Sequence, residues 1–344
     1  MYRWLCLLGL ISLCGGCQPD STHSEAYVFG TLVDVQIDDL SEAKAQQASQ
    51  AVFARYQQLH QQLHAWQAGE LQQLNTAITQ GNSSIPVSHT LADLLQHAQQ
   101  LSVQSGGLFN PAIGQLIALW GFHREQFSPV QFAPQQLQRL QAQRPAMTDL
   151  TITKDVVASR NRSVKMDLGG YAKGYALDEG MAILKAHGVK NALINIGGNV
   201  MALGQHHGRA WRVGIQHPRQ PGAMAALDLP SGWAIGTSGD YQRYYMKDGM
   251  RYCHIIDPRT GMPVQTTQAV TVLIAPQGHA GVLSDVASKP MFIAPEQASA
   301  LASTMGVFGW LMVDQTGKIS LNPPMQQRLT WLHPETARHA HLVE

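Results

Sequence analysis

A histidine and an aspartate stand three residues apart in YCHIIDPRTGMPV, the segment from Tyr252 to Val264. The imidazole of His254 titrates near neutrality, so it could take a proton from an attacking hydroxyl, and the Asp257 carboxylate could orient either group. Residues three apart on a strand face opposite ways, but Pro258 is expected to end the strand and swing Asp257 back. We predict that this pair handles protons; a satisfied pair of core residues is the alternative.

Two glycine-containing turns have shapes that suit a phosphate. In MDLGGYAKGYALD, Gly169 and Gly170 precede a predicted helix whose free N–H groups favour anions, and Lys173 adds a formal charge. In TSGDYQRYY, Ser238 and Asp240 follow a predicted strand directly. Neither segment matches a P-loop or a GxGxxG fingerprint, and each could be an ordinary turn whose polar side chains bond the local backbone.

Aromatic and imidazole side chains offer weaker signals. A third glycine turn, in SGGLFNPAIG, leads into Phe109 and Asn110. Trp66 follows a predicted helix, where an exposed ring could stack on a planar ligand, although a core tryptophan is the default. The other histidines lack metal-ligand spacing, and His206 and His207 of QHHG are expected to lie in a solvated turn.

The elements that must position these residues follow from hydrophobic periodicity and glycine punctuation. They indicate one α+β domain over residues 18–344, a mixed or antiparallel sheet flanked by helices, without repeats or a clean linker. The Gln- and Pro-rich residues 124–145 are interpreted as a surface excursion with one short helix and no chemistry. Strands are predicted at residues 26–37, before Asp167 and in NALINIGGN, WRVGIQHP, WAIGTSGDYQRYY, QAVTVLIAP, GWLMVD and KISL; helices are predicted from Ser41, near 91–103, from 171 to 188, from His279 and at 296–305.

Composition restricts the possible partners. Lysine and arginine number 24 against 23 acidic residues, so no large positive field favours nucleic acid. Hydrophobic residues make up 44% of the chain, too many for a disordered protein. Of four cysteines, only Cys253 lies beyond residue 17, which excludes an internal disulfide in the mature chain; its thiol is expected to be buried on the face opposite His254.

The first seventeen residues, MYRWLCLLGLISLCGGC, are typical of a secretory signal, with an apolar run too short to be a permanent membrane helix. The ending GGC resembles a bacterial lipoprotein signal with Cys17 as the lipidated residue, although Leu13 and Cys14 depart from the usual pattern. An ordinary cleaved signal peptide is the alternative. Either signal predicts export to the periplasmic side, and lipidation would tether the protein to a membrane, with the inner membrane favoured.

Several segments, taken in succession, resemble the ApbE family of FAD:protein FMN transferases. They are MDLGGYAKGYALD, NIGGN, TSGDYQRYY and HIIDPRTGMPV, with SGGLFNPAIGQLIALWGF, WQAGELQQLN and FGTLVDV as further family stretches. The resemblance runs from about residue 27 to residue 320 and implies a T-fold-like core. It also implies that FAD is bound with Mg²⁺ and that FMN is transferred to a Thr or Ser hydroxyl of an exported or membrane flavoprotein, with release of AMP.

The resemblance assigns roles residue by residue. The acceptor would be a subunit of an electron-transfer or ion-pumping complex, and some relatives instead hydrolyse FAD to FMN and AMP. His254 and Asp257 would be the catalytic pair. The flavin-binding positions are Phe29 (in place of the usual methionine), Trp66, Leu108, Phe109, Asn110, Asp167, Lys173, Ser238 and Ile256; the magnesium positions are Gly170, Asp285, Ser288 and Lys289.

Two positions depart from the family pattern: Asn110 replaces an aspartate, and Lys289 replaces a threonine at the metal site. A charged lysine has no lone pair for a metal. Three interpretations follow. The ammonium replaces part of the role of magnesium; or Lys289 pairs with Asp285 or solvent while magnesium binds through Gly170 and Asp285; or catalysis is lost and a flavin-binding lipoprotein remains. The retained His254 favours chemistry, as a transferase first and an FAD pyrophosphatase second.

Overall fold

The computed structural model describes residues 21–343, and all of the following strands and helices lie in that part of the chain. The strands are β1 Thr22–Val28, β2 Thr31–Ile37, β3 Ile85–Pro86, β4 Leu150–Ile152, β5 Val156–Ser159, β6 Ala192–Ile196, β7 Asn199–Leu203, β8 Trp211–Gln216, β9 Ala223–Leu229, β10 Ala234–Gly239, β11 Tyr244–Lys247, β12 Met250–Cys253, β13 Ile256–Asp257, β14 Met262–Pro263, β15 Thr267–Ile274, β16 Gly309–Asp314, β17 Ile319–Leu321, β18 Leu329–Trp331 and β19 Ala340–Leu342. The helices are α1 Glu42–Leu63, α2 Glu70–Gln80, α3 His89–Gln104, α4 Gly114–Leu119, α5 Pro134–Gln143, α6 Ala172–Ala186, α7 Ala280–Val286, α8 Ser288–Ile293, α9 Ala298–Thr304, α10 Pro323–Arg328 and α11 Pro334–Arg338.

A nine-stranded sheet joins the first described strand to the last. Its order is β1-β2-β6-β7-β10-β15-β16-β17-β19. Neighbouring strands are antiparallel except β17 and β19, which are parallel. This mixed sheet with helices packed against it confirms the predicted α+β class.

Strand β15 shows how the sheet divides the core. All eight of its residues are buried, and its five apolar residues are divided between two hydrophobic clusters. Val270, Val272 and Ile274 pack with residues of α1, α6 and α7, whereas Ala269 and Leu273 pack with residues of β8 and β9. Successive side chains on a strand point to opposite faces, so one apolar strand serves both layers.

A third hydrophobic cluster supports the segment that carries His254. It joins α4 and α5 to β11 and includes Trp120, Leu140 and Tyr245. The indole nitrogen of Trp120 donates to the carbonyl of Gly261, 2.7 Å away. The segment 124–145 contains the one predicted short helix, α5, and is mostly exposed; the Gln141 amide of this helix donates to the Thr260 carbonyl at 2.6 Å, in the turn that follows His254.

Two predicted strands are wrong. Residues 26–37 form a hairpin, β1 and β2, because Phe29 and Gly30 both have positive φ, 56° and 68°, and reverse the chain between the strands. Among the described residues, no strand ends at Asp167; the residues just before it contribute only an isolated parallel bridge between Ile113 and Lys165. A single extended run could not distinguish a hairpin from one long strand, since the turn residue Phe29 lacks a turn signal.

The remaining predictions about buried and apolar segments have mixed outcomes. Cys253 is buried and free, as predicted. Within residues 21–343, no helix combines the length and apolarity that crossing a membrane requires. Cys17 and the rest of the predicted signal lie outside the described residues, so the lipidation stays a prediction.

Candidate active site

Four ring side chains, which we call the aromatic wall, run from the turn between β1 and β2 to the residues just after α1: Phe29, Tyr56, His60 and Trp66. The ring of Phe29 lies 5.9 Å from the ring of Tyr56 and 5.7 Å from that of His60, the latter edge to face. Tyr56 and His60 project from α1, so the hairpin turn is packed against that helix. Phe29 is only partly buried, which leaves part of its ring available to a planar ligand.

Trp66 and Asp167 meet just beyond the end of α1. The indole nitrogen of Trp66 donates to Oδ2 of Asp167 at 3.1 Å, and the backbone N–H of Gly169 donates to Oδ1 at 2.8 Å. The ammonium of Lys165 lies 4.0 Å above the Trp66 ring, in cation–π geometry. Burial lowers the pKa of Lys165, and Asp167 opposes that shift. Trp66 and Asp167, both predicted to contact flavin, are thus hydrogen-bonded to each other. Lys165, which was not among the predicted site residues, lies against the same ring.

The SGGLFN segment lies beside this pair. Leu108 and Phe109, two predicted flavin contacts, are buried in the main core. The backbone N–H of Asp167 donates to the carbonyl of Pro111 at 2.8 Å, which fixes the segment next to the carboxylate.

Asn110, the first departure from the family pattern, uses its amide locally. Its NH₂ donates to the carbonyl of Pro145 at 2.9 Å, and its side-chain oxygen accepts from the N–H of Ala112 at 3.1 Å. The neutral amide therefore satisfies both a donor and an acceptor role that a carboxylate could not, because a carboxylate only accepts.

A lysine closes the other end of the site. The ammonium of Lys289 lies 2.7 Å from Oδ1 of Asp285 and 2.6 Å from the Asp285 carbonyl oxygen, and the N–H of Gly174 donates to Oδ2 at 3.1 Å. The lysine stem lies across Gly170: a Cβ on that glycine would come within 2.6 Å of Lys289 Cε. Glycine at 170 thus makes room for the lysine.

Asp285 is only 1% exposed, yet its carboxylate is held ionised. Burial acts to raise its pKa, but the ammonium groups of Lys289 and Lys173, with the hydrogen bonds, bring the pKa down to about 2. Burial lowers the pKa of Lys173; Asp285 opposes that shift, while Lys289 and Arg243 add to it. The site therefore contains more positive than negative charge.

Two serines connect strand β10 to Asp285, Lys289 and Lys173, which together we call the Asp285 cluster. The hydroxyls of Ser238 and Ser288 lie 2.8 Å apart, and Ser288 Oγ donates to the Asp285 carbonyl at 3.0 Å. Asp240, two residues further along, instead binds the guanidinium of Arg219 at 2.7 Å. Of the two polar residues in the Ser-Gly-Asp turn, only the serine thus bonds to the Asp285 cluster.

His254 lies between β12 and β13, within the field of the same cations. Its backbone N–H donates to the Arg243 carbonyl at 3.0 Å, and its Nδ1 lies 3.3 Å from that oxygen. Burial, then Arg243, Lys173 and Lys289, lowers the pKa of His254 to about 3. The imidazole is therefore neutral at pH 7. Since the carbonyl can only accept, Nδ1 carries the hydrogen and Nε2 keeps a lone pair.

Asp257 has a different partner from the one expected. Its carboxylate binds the side chain of Arg259, with nitrogen–oxygen distances from 2.8 to 3.2 Å, and its backbone carbonyl accepts from Gly261 at 2.7 Å. Within residues 21–343, no hydrogen bond joins it to His254. Pro258 does follow the end of β13, but the turn directs the carboxylate toward Arg259. Ile256 is buried in the third cluster and supports this turn from below.

The residues assigned to magnesium by resemblance do not fit that ion. Mg²⁺ requires near-octahedral oxygen ligands, whereas the Asp285 carboxylate has a lysine ammonium on one oxygen and a backbone N–H on the other. The hydroxyl of Ser288 donates its hydrogen to the Asp285 carbonyl, and the ammonium of Lys289 has no lone pair to offer a metal. The structure thus places a fixed cation beside Gly170, where the resemblance places the metal.

Sequence reasoning missed two cationic residues of this site. Arg243 approaches Gly30 so closely that a Cβ there would lie 2.9 Å from a guanidinium nitrogen, so it lies near both the aromatic wall and His254. It belongs to the quoted TSGDYQRYY stretch, where an arginine beside a phosphate-suited turn was an available signal. Lys165 stands two residues before Asp167, but its position over Trp66 depends on contacts 99 residues apart in the chain.

An aromatic wall joined to a cationic cluster and a neutral histidine is suited to an enzyme that handles a ligand with planar rings and phosphates. A model of the ApbE family matches residues 29–308. The chain is 32% identical over 290 residues to the FAD:protein FMN transferase of Treponema pallidum, covering 79% of this chain and 80% of that one. This chain belongs to the ApbE family.

Two further comparisons agree with that membership. The chain is 40% identical over 326 residues to the FAD:protein FMN transferase of Rhodobacter capsulatus; the match covers 94% of this chain but 61% of that protein, so this chain spans less than two thirds of that relative. The flavin transferase ApbE of Vibrio cholerae has the same fold, with a TM-score of 0.76 and 25% identity over 90% of this chain and 99% of that one.

Proposed function

We propose that this protein is an FAD:protein FMN transferase. The observation that supports this function best is His254, a neutral imidazole with three cationic side chains in its electrostatic environment. Phosphoryl transfer from a dinucleotide needs positive charge around the phosphates and a base for the attacking hydroxyl, and the described residues supply both.

The reaction follows from these roles. A Thr or Ser hydroxyl oxygen of the acceptor attacks the FMN phosphorus of FAD, the phosphorus–oxygen bond to AMP breaks, and Nε2 of His254 accepts the hydroxyl proton. Lys173, Lys289 and Arg243 neutralise the pyrophosphate. The bound phosphates also offset the cations that depress the pKa of His254, so the imidazole becomes a stronger base when FAD is present.

The aromatic wall would hold the flavin. Phe29 and Trp66 offer ring surface for the planar isoalloxazine, and Asp167 is fixed in place by the Trp66 indole. Lys165, which lies over Trp66, would move aside or accompany the ring system when the flavin stacks.

We assign no step to magnesium. Lys289 pairs with Asp285, as the second of the three interpretations has it, but its ammonium occupies Oδ1 and its stem crosses Gly170. These contacts favour the first interpretation, in which a lysine ammonium supplies part of the charge that the metal would bring. Asp285 fixes the position of this ammonium and prevents the cluster from carrying too much uncompensated charge. Asp257, bound to Arg259, shapes the turn after His254 in this proposal.

The proposal extends to location and partner. The first seventeen residues support export and lipidation of Cys17, which would tether the enzyme to the periplasmic side, with the inner membrane favoured. The acceptor would then be an exported or membrane flavoprotein subunit of an electron-transfer or ion-pumping complex.

The testing experiment uses the soluble form that lacks residues 1–17, FAD and a panel of acceptor domains, with magnesium or with chelator. AMP release is measured together with flavin fluorescence of the denatured acceptor. We expect AMP and a covalently fluorescent acceptor, with substantial activity in chelator. AMP without labelling of any acceptor would favour the FAD pyrophosphatase, and bound FAD without AMP would show a flavin carrier.

A further inference from the structure

A group of side chains that could bind a metal ion lies at the C-terminal end of β2, apart from the Asp285 cluster. Asp38 follows this strand, and His206 and His207 lie in the turn between β7 and β8. Nδ1 of His206 is 2.6 Å from Oδ2 of Asp38, and one ligand atom from each of the three residues lies within 4.8 Å of the others. Phe29 stands before the opposite end of β2, whose seven extended residues span roughly 23 Å, so this cluster is separate from the flavin site.

The turn has an uncommon feature that brings the two imidazoles together. His206 and Arg209 exchange both backbone hydrogen bonds, at 2.7 and 3.0 Å, so His207 and Gly208 are the central residues of a two-residue hairpin. Both have positive φ, 47° and 79°, which is the type I′ pattern. A non-glycine residue at positive φ is uncommon, and asparagine, aspartate and histidine are the residues most often found there. As a result, the rings of His206 and His207 lie 4.3 Å apart.

The ligand atoms are supported by neighbouring groups. Trp211 stacks on the ring of His206 at 4.9 Å, and the backbone N–H of Asp38 donates to the carbonyl of Asn191 at 3.1 Å. The Asn191 side-chain oxygen in turn accepts from the backbone N–H of Gln205 at 2.8 Å, which ties the turn to the end of β2. The Asp38 side chain is 4% exposed, whereas the His206 side chain is 40% exposed, so an ion could enter from solvent.

We propose that Asp38, His206 and His207 bind a divalent transition-metal ion of the zinc class. Two imidazoles and one carboxylate are a donor set for Zn²⁺, and also suit Cu²⁺ and Ni²⁺, but not Mg²⁺ or Ca²⁺. The ion replaces the hydrogen shared by His206 and Asp38, and water completes the coordination. Ligand atoms around tetrahedral zinc lie about 3.3 Å apart, so the 2.6 Å contact opens by about 0.7 Å on binding.

The site would fasten the end of β2 to the hairpin that leads into β8. These two regions belong to different hydrophobic clusters, because Val35 and Ile37 of β2 pack in the main cluster and Trp211 packs in the second. A metal there stabilises the junction between the clusters and plays no part in flavin chemistry. The proposal is therefore independent of the transferase function.

The test is calorimetric titration of the full chain, purified in detergent and stripped of metal, with zinc chloride. His207→Asn removes one ligand but keeps a residue that favours the turn, and Asp38→Asn removes the carboxylate. His187→Asn, at an exposed histidine after α6, is the matched control because the chain has 15 histidines that could bind zinc weakly. Circular dichroism of every variant reports whether the fold is intact, and AMP release from FAD reports whether the proposed flavin site is undisturbed.

We expect one zinc per wild-type chain, an affinity at least tenfold lower in His207→Asn and in Asp38→Asn, and no change in His187→Asn. AMP release should be equal in all four proteins. The absence of saturable zinc binding in the wild type, or the same affinity in His207→Asn as in the wild type, would overturn the proposal. If Asp38→Asn fails to fold, His207→Asn alone decides the outcome.

Discussion

Asp285 and Asp38 are two almost fully buried carboxylates that meet their neighbours in different ways. Asp285 receives a lysine ammonium on one oxygen and a backbone N–H on the other, all from packed helices. Asp38 has two side-chain partners among the described residues: His206, which lies in a hairpin turn, at 2.6 Å, and the amide of Gln36 at 3.4 Å. The first site has a lysine ammonium as its cation, whereas the second, as we propose, has two imidazoles and a carboxylate that can bind a cation from solution. The ligand set around it, rather than the carboxylate itself, therefore decides whether a metal can be bound.

The largest expected effect comes from removing the base at the Asp285 end. His254→Gln keeps a polar side chain but cannot accept the hydroxyl proton, so transfer of FMN should fall by roughly 10²- to 10⁴-fold. Single-turnover labelling of an acceptor measures the rate, and fluorescence titration checks that FAD affinity stays within a few-fold. A variant with normal labelling would remove His254 from the mechanism.

Asp285→Asn should lower the free energy of unfolding more than Asp38→Asn does. It leaves the cations Lys289 and Lys173 without their buried partner, so we expect a loss of about 3 kcal/mol, the low end of the range because Lys289 is 19% exposed. Asp38→Asn keeps an acceptor for His206 and should cost about 1 kcal/mol or less. Urea denaturation of both variants measures the difference; equal losses would show that the two carboxylates are held alike.

Acid should destabilise the protein through His254. Its pKa is about 3 in the folded protein against an ordinary value of 6.5, so between these pH values the unfolded chain binds more protons. Stability is fully present above pH 6.5 and falls as the pH drops toward 3, by at most about 1.4 kcal/mol per pH unit. His254→Gln should flatten this part of the stability curve. Identical slopes in both proteins would show that His254 is not buried among cations.

Lys289→Thr should convert the Asp285 site from one that holds a lysine ammonium into one that can bind a metal ion. Removing the ammonium frees Oδ1 of Asp285, and the threonine hydroxyl adds an oxygen ligand, so magnesium can bind. In chelator we expect about a tenfold loss of AMP release, restored by Mg²⁺. Lys289→Met loses the charge without gaining an oxygen and should not be rescued as well. The same metal titration curve for Lys289→Thr and wild type would place Lys289 outside the metal position.

The smallest effect is expected at the turn. Without zinc, His207→Asn should change the free energy of unfolding by no more than about 0.5 kcal/mol, because asparagine accepts positive φ readily. With the same excess of zinc, the wild type should gain more thermal stability than His207→Asn, because the stabilisation grows with zinc affinity. Thermal melts with and without zinc check both statements, and a large loss in metal-free buffer would mean that His207 is needed for folding.

Local patterns predict the helices of this chain well and its long-range contacts poorly. Helix α6 follows the glycine pair as predicted, and Gly188 stands just beyond its end in the left-handed conformation. The bond between His206 and Asp38 joins residues 168 positions apart, so no local spacing signals it. The sequence predicts that Asp257 turns toward His254, but the arginine two residues later competes for it at short range. The contact of the Lys289 ammonium with Asp285 could be predicted, since the two residues stand four positions apart on a helical segment.

Strand β15 gives the two sites different dynamics. It is buried on both faces between β10 and β16, so its amide hydrogens should exchange with solvent only when the whole molecule unfolds. Ser238, which contacts the Asp285 cluster through Ser288, pairs directly with Val270 of this strand. The Asp285 end of the proposed flavin site is therefore attached to the last region to open, whereas we expect that the turn that carries His207 can open locally while the sheet stays intact.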